Sequence, residues 1–158
     1  MNVRKALVLA VMSVSALGMV ACDDDDEGPG PEVFVATLNG AQEVPAVTTT
    51  ATGTARVEFT ATGLTFTVNV SGIQNVTLAH IHGPALAGAN AGVVLNLNPT
   101  LTVTTGVLAQ GTATGPGTSA AAVTMDSLKA FIRTGRAYVN VHNTANPGGH
   151  IRGQLTAQ

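Results

Sequence analysis

The four histidines of this chain fall in two short stretches, and they are its main coordinating side chains. His80 and His82 sit in Ala79-His80-Ile81-His82-Gly83-Pro84. His142 closes Tyr138-Val139-Asn140-Val141-His142, and His150 lies in Pro147-Gly148-Gly149-His150-Ile151-Arg152-Gly153-Gln154. Imidazole nitrogens bind Zn(II) or Cu(II) at about 2.0–2.1 Å, and Cu(II) takes such nitrogens most tightly. A His-x-His pair on a strand offers two ligands on one face at little ordering cost. The competing role is architectural: the same rings hydrogen-bond loop backbones and hold one end of the fold together. The pair alone does not separate metal from architecture.

Other chemistry is scarce. Ser71, Ser119 and Ser127 lie in no Gly-x-Ser-x-Gly elbow, which argues against a serine triad. Glu43, Glu58 and Asp126 are hard to assemble into the paired carboxylates of a glycosidase. Glu58 belongs to a solvent face and Asp126 to the first turn of a helix. Glu43 differs, because it sits in the extended run Gln42-Glu43-Val44-Pro45, where it either caps backbone amides or reaches the histidines.

The elements that carry these residues follow from periodicity. Gly53–Thr60 alternates, with Ala55, Val57 and Phe59 opposite Thr54, Arg56 and Glu58. Leu64–Ser71 does the same with Leu64, Phe66, Val68 and Val70, and Ala61-Thr62-Gly63 links the two as a hairpin. Further strands are expected at 33–38, 76–82, 93–97, 106–114, 137–142 and 150–156, rich in β-branched Thr and Val. Leu128, Phe131 and Ile132 fall at helical spacing behind a capping Thr124, with Gly135 as the stop. One short helix is therefore expected near 125–133. The expected fold is all-β, a Greek-key β-sandwich of the immunoglobulin or superoxide-dismutase type. If Ile81, Val139, Val141, Ile151 and Leu155 face the core, all four histidines face away from it, with Tyr138, Asn140, Arg152 and Gln154 beside them.

The first 31 residues are not part of that domain, which is expected to span 32–158. Arg4 and Lys5 precede an apolar stretch, Ala6–Val20, too short for a comfortable membrane span, so residues 1–21 are expected to be a signal peptide. Met19-Val20-Ala21-Cys22 resembles a bacterial lipobox, with Met where Leu is usual. The resemblance implies cleavage before Cys22 and lipidation of that cysteine. The alternative is an ordinary secretory signal that leaves Cys22 as a free thiol. With one cysteine, no disulfide forms within the chain. Residues 22–31, with five consecutive acids and Gly/Pro pairs, suit a solvated tether better than a calcium loop, whose ligands are spaced. From residue 32 onward five bases face four acids, so the net charge of −2 comes from the tether. No basic patch with interleaved aromatics suggests nucleic-acid binding.

Taken in order, the motifs resemble the CHRD domain, named for its occurrence in chordin and common in bacterial secreted proteins. The series is Leu38-Asn39-Gly40 with Gln42-Glu43-Val44-Pro45, then Gly53, Ala79-His80-Ile81-His82-Gly83, Gly135 with Tyr138-Val139-Asn140-Val141-His142, and Pro147-Gly148-Gly149 with Ile151-Arg152-Gly153-Gln154. His150 departs from the family pattern, which usually has Glu there; the exchange keeps a coordinating side chain and weakens any model in which that carboxylate pairs with Arg152. The His-x-His strand also looks like the copper strand of Cu/Zn superoxide dismutases, although no disulfide and no convincing zinc loop accompany it.

The sequence thus leads to a lipid-anchored module of the cell envelope, more in keeping with binding than with catalysis. Its candidate metal ligands are His80, His82, His142 and His150, with Glu43 as a weaker one. Tyr138, Asn140 and Arg152 are candidates for supporting them, and copper or zinc is the candidate ion. Two alternatives stand beside it: a copper redox enzyme, and an adhesion or scaffold module with structural histidines whose partner is a protein or a glycan.

Overall fold

The computed structural model describes residues 30–115 and 123–158. The proposed signal peptide, Cys22 and nearly all of the acidic tether lie outside these residues. Among the described residues nine strands and one α-helix, besides a short 3-10 turn at Gly40–Gln42, follow in the order β1 (Val33–Asn39), β2 (Thr52–Phe59), β3 (Leu64–Ser71), β4 (Val76–His82), β5 (Val93–Asn96), β6 (Gly106–Ala113), α1 (Met125–Arg133), β7 (Tyr138–Asn143), β8 (Ile151–Gln154) and β9 (Thr156–Ala157). The expected strands are present, with ends shifted by one residue in several cases. The last one is divided at Leu155, whose amide turns to the Ala137 carbonyl.

All pairings are antiparallel. The order β5-β4-β7-β8-β1-β2-β3-β6 makes a curled, sandwich-like sheet of two halves. The halves meet where β8 and β9 run along β1, through the register pairs Asn39↔Arg152, Val35↔Thr156 and Phe34↔Ala157. Gly153 makes this approach possible, because a methyl group there would collide with the Thr37 carbonyl. Inside the curl, Leu38, Val57, Leu64, Val68, Ile81, Leu108, Val139, Val141, Ile151 and Leu155 form one continuous core. The alternation expected for β2 and β3 is observed, with Ala55, Val57, Phe59, Leu64, Phe66, Val68 and Val70 inward.

The helix begins where Thr124 accepts a hydrogen bond from the Ser127 amide. It ends in a Schellman arrangement: Gly135, at φ +64°, donates to Ile132, and Arg136 donates to Phe131. Leu128 and Ile132 are buried in the core, with Phe131 packed against it. Glu58 is half-buried beside Arg56 and Asp126 lies in the first helical turn, the structural roles expected of both.

Gly153→Ala should lower stability by about 1–3 kcal/mol, since overpacking at a rigid backbone contact costs on that scale. A thermal melt of the variant beside wild type checks this, and an unchanged midpoint would mean the β1–β8 seam yields easily.

Candidate metal centre

Strand pairing brings the histidines together. β7 lies between β4 and β8, and its residues register as His82↔Tyr138↔Gln154, His80↔Asn140↔Arg152 and Leu78↔His142. Since Ala79, Ile81, Val139, Val141 and Ile151 point into the core, alternation sends these polar side chains to the opposite face. That face is not in water. Every residue of β7 is buried, and His80, His82, Asn140, His142 and Arg152 are each less than a tenth exposed. The cover consists of the segments 40–47, 83–92 and 144–150. The amide of Asn90 donates to the Val44 carbonyl and so ties two of them together.

The loop carbonyls decide which nitrogen of each ring carries its proton. A carbonyl oxygen only accepts, so His82 Nδ1–H donates to Ala91 at 3.0 Å and His142 Nδ1–H donates to Pro147 at 3.0 Å. Both Nε2 atoms are therefore left as lone pairs. His142 Nε2 accepts from His80 Nδ1–H at 3.1 Å. His82 Nε2 is buried with no hydrogen-bond partner at all. One nitrogen from each of the three rings lies within 4.8 Å of the others. Tetrahedral coordination at about 2.0–2.1 Å needs ligand atoms roughly 3.4 Å apart. Closing the set thus requires shifts on the order of 1 Å, within the reach of small ring rotations.

Burial holds these imidazoles neutral, the form that binds metal. It drives His80 down to about 4, helped by the neighbouring His142 and His82. Burial lowers His82 as well, opposed by the Ala91 hydrogen bond and reinforced by His142 and Arg152. His142 is lowered by burial against the opposing Pro147 bond.

The supporting residues take distinct places. Tyr138 stacks on His82, with ring centroids 4.9 Å apart and planes 4° from parallel. The Arg152 guanidinium lies 3.7 Å from the centroid of the same tyrosine ring. Because β7 runs between β4 and β8, the two neighbours occupy opposite faces of that ring. Arg152 is fixed by the Asn90 side chain at 2.9 Å and the Ala89 carbonyl at 2.8 Å. The Tyr138 hydroxyl accepts from the Ala91 amide at 3.1 Å, so it positions the same residue that orients His82.

Asn140, His150 and Glu43 stand apart from the three rings. Asn146 donates to His150 Nδ1 at 2.8 Å, which makes Nε2–H the donor to Thr49 at 3.0 Å, and both nitrogens are occupied. Burial lowers the pKa of His150. Glu43 is packed beside Asn140 and Gly149. Burial raises its carboxyl to about 7, against the opposing charge of Arg152 and the Asn140 hydrogen bond. What the sequence did not disclose is the cover: nothing in the types of Ala89, Ala91 or Pro147 marks their carbonyls as partners.

Fold and site together define a small all-β module with a buried imidazole cluster under loops. The CHRD domain family matches residues 34–155, and the chain belongs to that family. No curated protein and no solved structure is a significant match.

The lowered His80 pKa has a stability consequence. A neutral ring favoured by folding contributes fully above pH about 6.5 and loses that contribution as pH falls through 4. The term is on the order of 3 kcal/mol at most. His80→Gln should therefore flatten the loss of stability between these values in denaturant titrations at stepped pH, whereas a profile identical to wild type would place the acid sensitivity elsewhere.

Proposed function

We propose that this chain is a binding module, held by lipid on Cys22 at an extracytoplasmic membrane surface, which takes a copper or zinc ion at His80, His82 and His142. The observation that carries the metal reading is the unpartnered, buried Nε2 of His82, facing two other rings. An unmade hydrogen bond at a buried acceptor costs about 1–3 kcal/mol, and a metal–nitrogen bond would remove that cost. Three neutral nitrogens suit Zn(II) or copper better than Mg(II) or Ca(II), which prefer oxygen. A purely architectural role draws on the bonds to Ala91 and Pro147 but leaves His82 Nε2 unexplained. Tyr138 and Arg152 would fix the His82 ring from outside the coordination sphere.

Calorimetric titration of the metal-free protein with Zn(II) and Cu(II) tests the site. One-to-one binding at micromolar affinity or better is expected for wild type and for His150→Ala, and its loss is expected in His80→Ala/His82→Ala. At ligand concentrations near 100 Kd the melting transition should gain about 2.7 kcal/mol. No heat and no stabilisation in wild type would leave the histidines as architecture.

The anchor rests on Met19-Val20-Ala21-Cys22 and the apolar run before it. Cys22→Ser should move the protein from the membrane fraction to the soluble fraction and abolish incorporation of labelled fatty acid. Retention of the label in the variant would refute lipidation at this cysteine.

A further inference from the structure

The Glu43 carboxyl presents a second problem, independent of the metal. Glu43 is 6 % exposed, and its Oε1 is buried without a hydrogen-bond partner. Asn140 Oδ1 is in the same condition. The Glu43 carboxyl and the Asn140 Nδ2 group meet at Gly149, with Asn140 Oδ1 on the other side of its amide. A Cβ there would lie 2.7 Å from both carboxyl oxygens and 2.6 Å from Asn140 Nδ2, and the residue's φ is +142°. Glycine alone lets this loop close over the acid. The ion pairs among the described residues are Arg56–Glu58 and Arg133–Glu32, neither of which involves Glu43. Arg152 is committed to Asn90, Ala89 and the Tyr138 ring.

Beside this carboxyl opens a cleft of about 230 Å³, which Glu43 and Gly149 line together with Val44, Pro45, Val47 and Ala145. Lys and Arg are absent from its lining. Val44, Pro45 and Val47 give the cleft one aliphatic wall, the loop 145–149 with Asn146 gives it a more polar one, and the acid at its base has no ion-pair partner among the described residues. We propose that this cleft binds a primary alkylammonium group, with the methylene stem against Val44, Pro45 and Val47 and the ammonium on Glu43. The ammonium's N–H groups would supply the donor that Glu43 Oε1 lacks. A calcium or magnesium ion fits poorly, because it would need six or so oxygen ligands where Glu43 is the one carboxylate in the lining. Burial favours the protonated carboxyl, against the Arg152 charge and the Asn140 hydrogen bond, and an arriving ammonium would take the place of that proton, which leaves to solvent. The ammonium has two sources, the lysine of a partner protein or a free diamine.

The test is an NMR titration of the full-length protein in detergent with n-butylamine, and with 1-butanol as the uncharged counterpart. Saturable amide shifts at Val44, Val47 and 145–149 are expected with the amine at millimolar concentration and not with the alcohol. Glu43→Gln should weaken amine binding at least tenfold. Ala145→Phe, which fills the mouth and leaves the carboxyl in place, should do the same and decides the matter if Glu43→Gln does not fold. Tighter binding of a lysine-containing peptide than of putrescine assigns the site to a protein partner, and the reverse order assigns it to a free amine. Absence of amine-induced shifts, equal response to 1-butanol, or full affinity in both variants would overturn the proposal.

Discussion

β7 has no face in water, and the rest of the molecule is arranged around that constraint. Its core side, Val139 and Val141, needs only apolar neighbours. Its other side presents Tyr138, Asn140 and His142, which must find partners because a buried polar group without one is costly. The partners come from loops. Ala91 and Pro147 supply carbonyls to the imidazoles, while Ala89 and Asn90 hold Arg152. Loop conformation is thus subordinate to the polar face of one strand, and among the described residues this arrangement leaves His82 Nε2, Glu43 Oε1 and Asn140 Oδ1 buried and unpaired.

The charges are divided in a consistent way. The three imidazoles are neutral and Arg152 is their nearest permanent cation, separated from His82 by the thickness of the Tyr138 ring. Its field adds to burial in keeping His82 unprotonated. An ion entering the cluster would therefore meet neutral rings, would have to displace the His80 Nδ1–H bond to His142 Nε2, and would feel a positive group close by.

Much of this architecture was legible in the residues. Period-two alternation located β2 and β3 because their outer faces carry Thr, Arg and Asn in water. The Thr124 cap and Gly135 stop located α1, since each satisfies a specific backbone need. Alternation also gave the side of the sheet on which His80, His82 and His142 project. It did not reveal that this side is covered, because covering depends on where the segments 40–47, 83–92 and 144–150 fold back, and loop paths leave no periodic trace. For the same reason, the separation of His150 from the other three rings was not visible. Its neighbours Thr49 and Asn146 are ordinary loop residues, and the register at the start of β8 settles where the ring points.

The seam between the two halves of the sheet joins the two ends of the domain. Phe34, in β1, pairs with Ala157, in β9. A polypeptide emerging from its N-terminus onward, whether from a ribosome or through a translocation channel, holds one edge of β1 unpartnered until β8 and β9 have followed. Closure of the sheet therefore waits for its last two strands, and the domain stays threadable until they emerge. A two-residue strand thus has a control over folding disproportionate to its length.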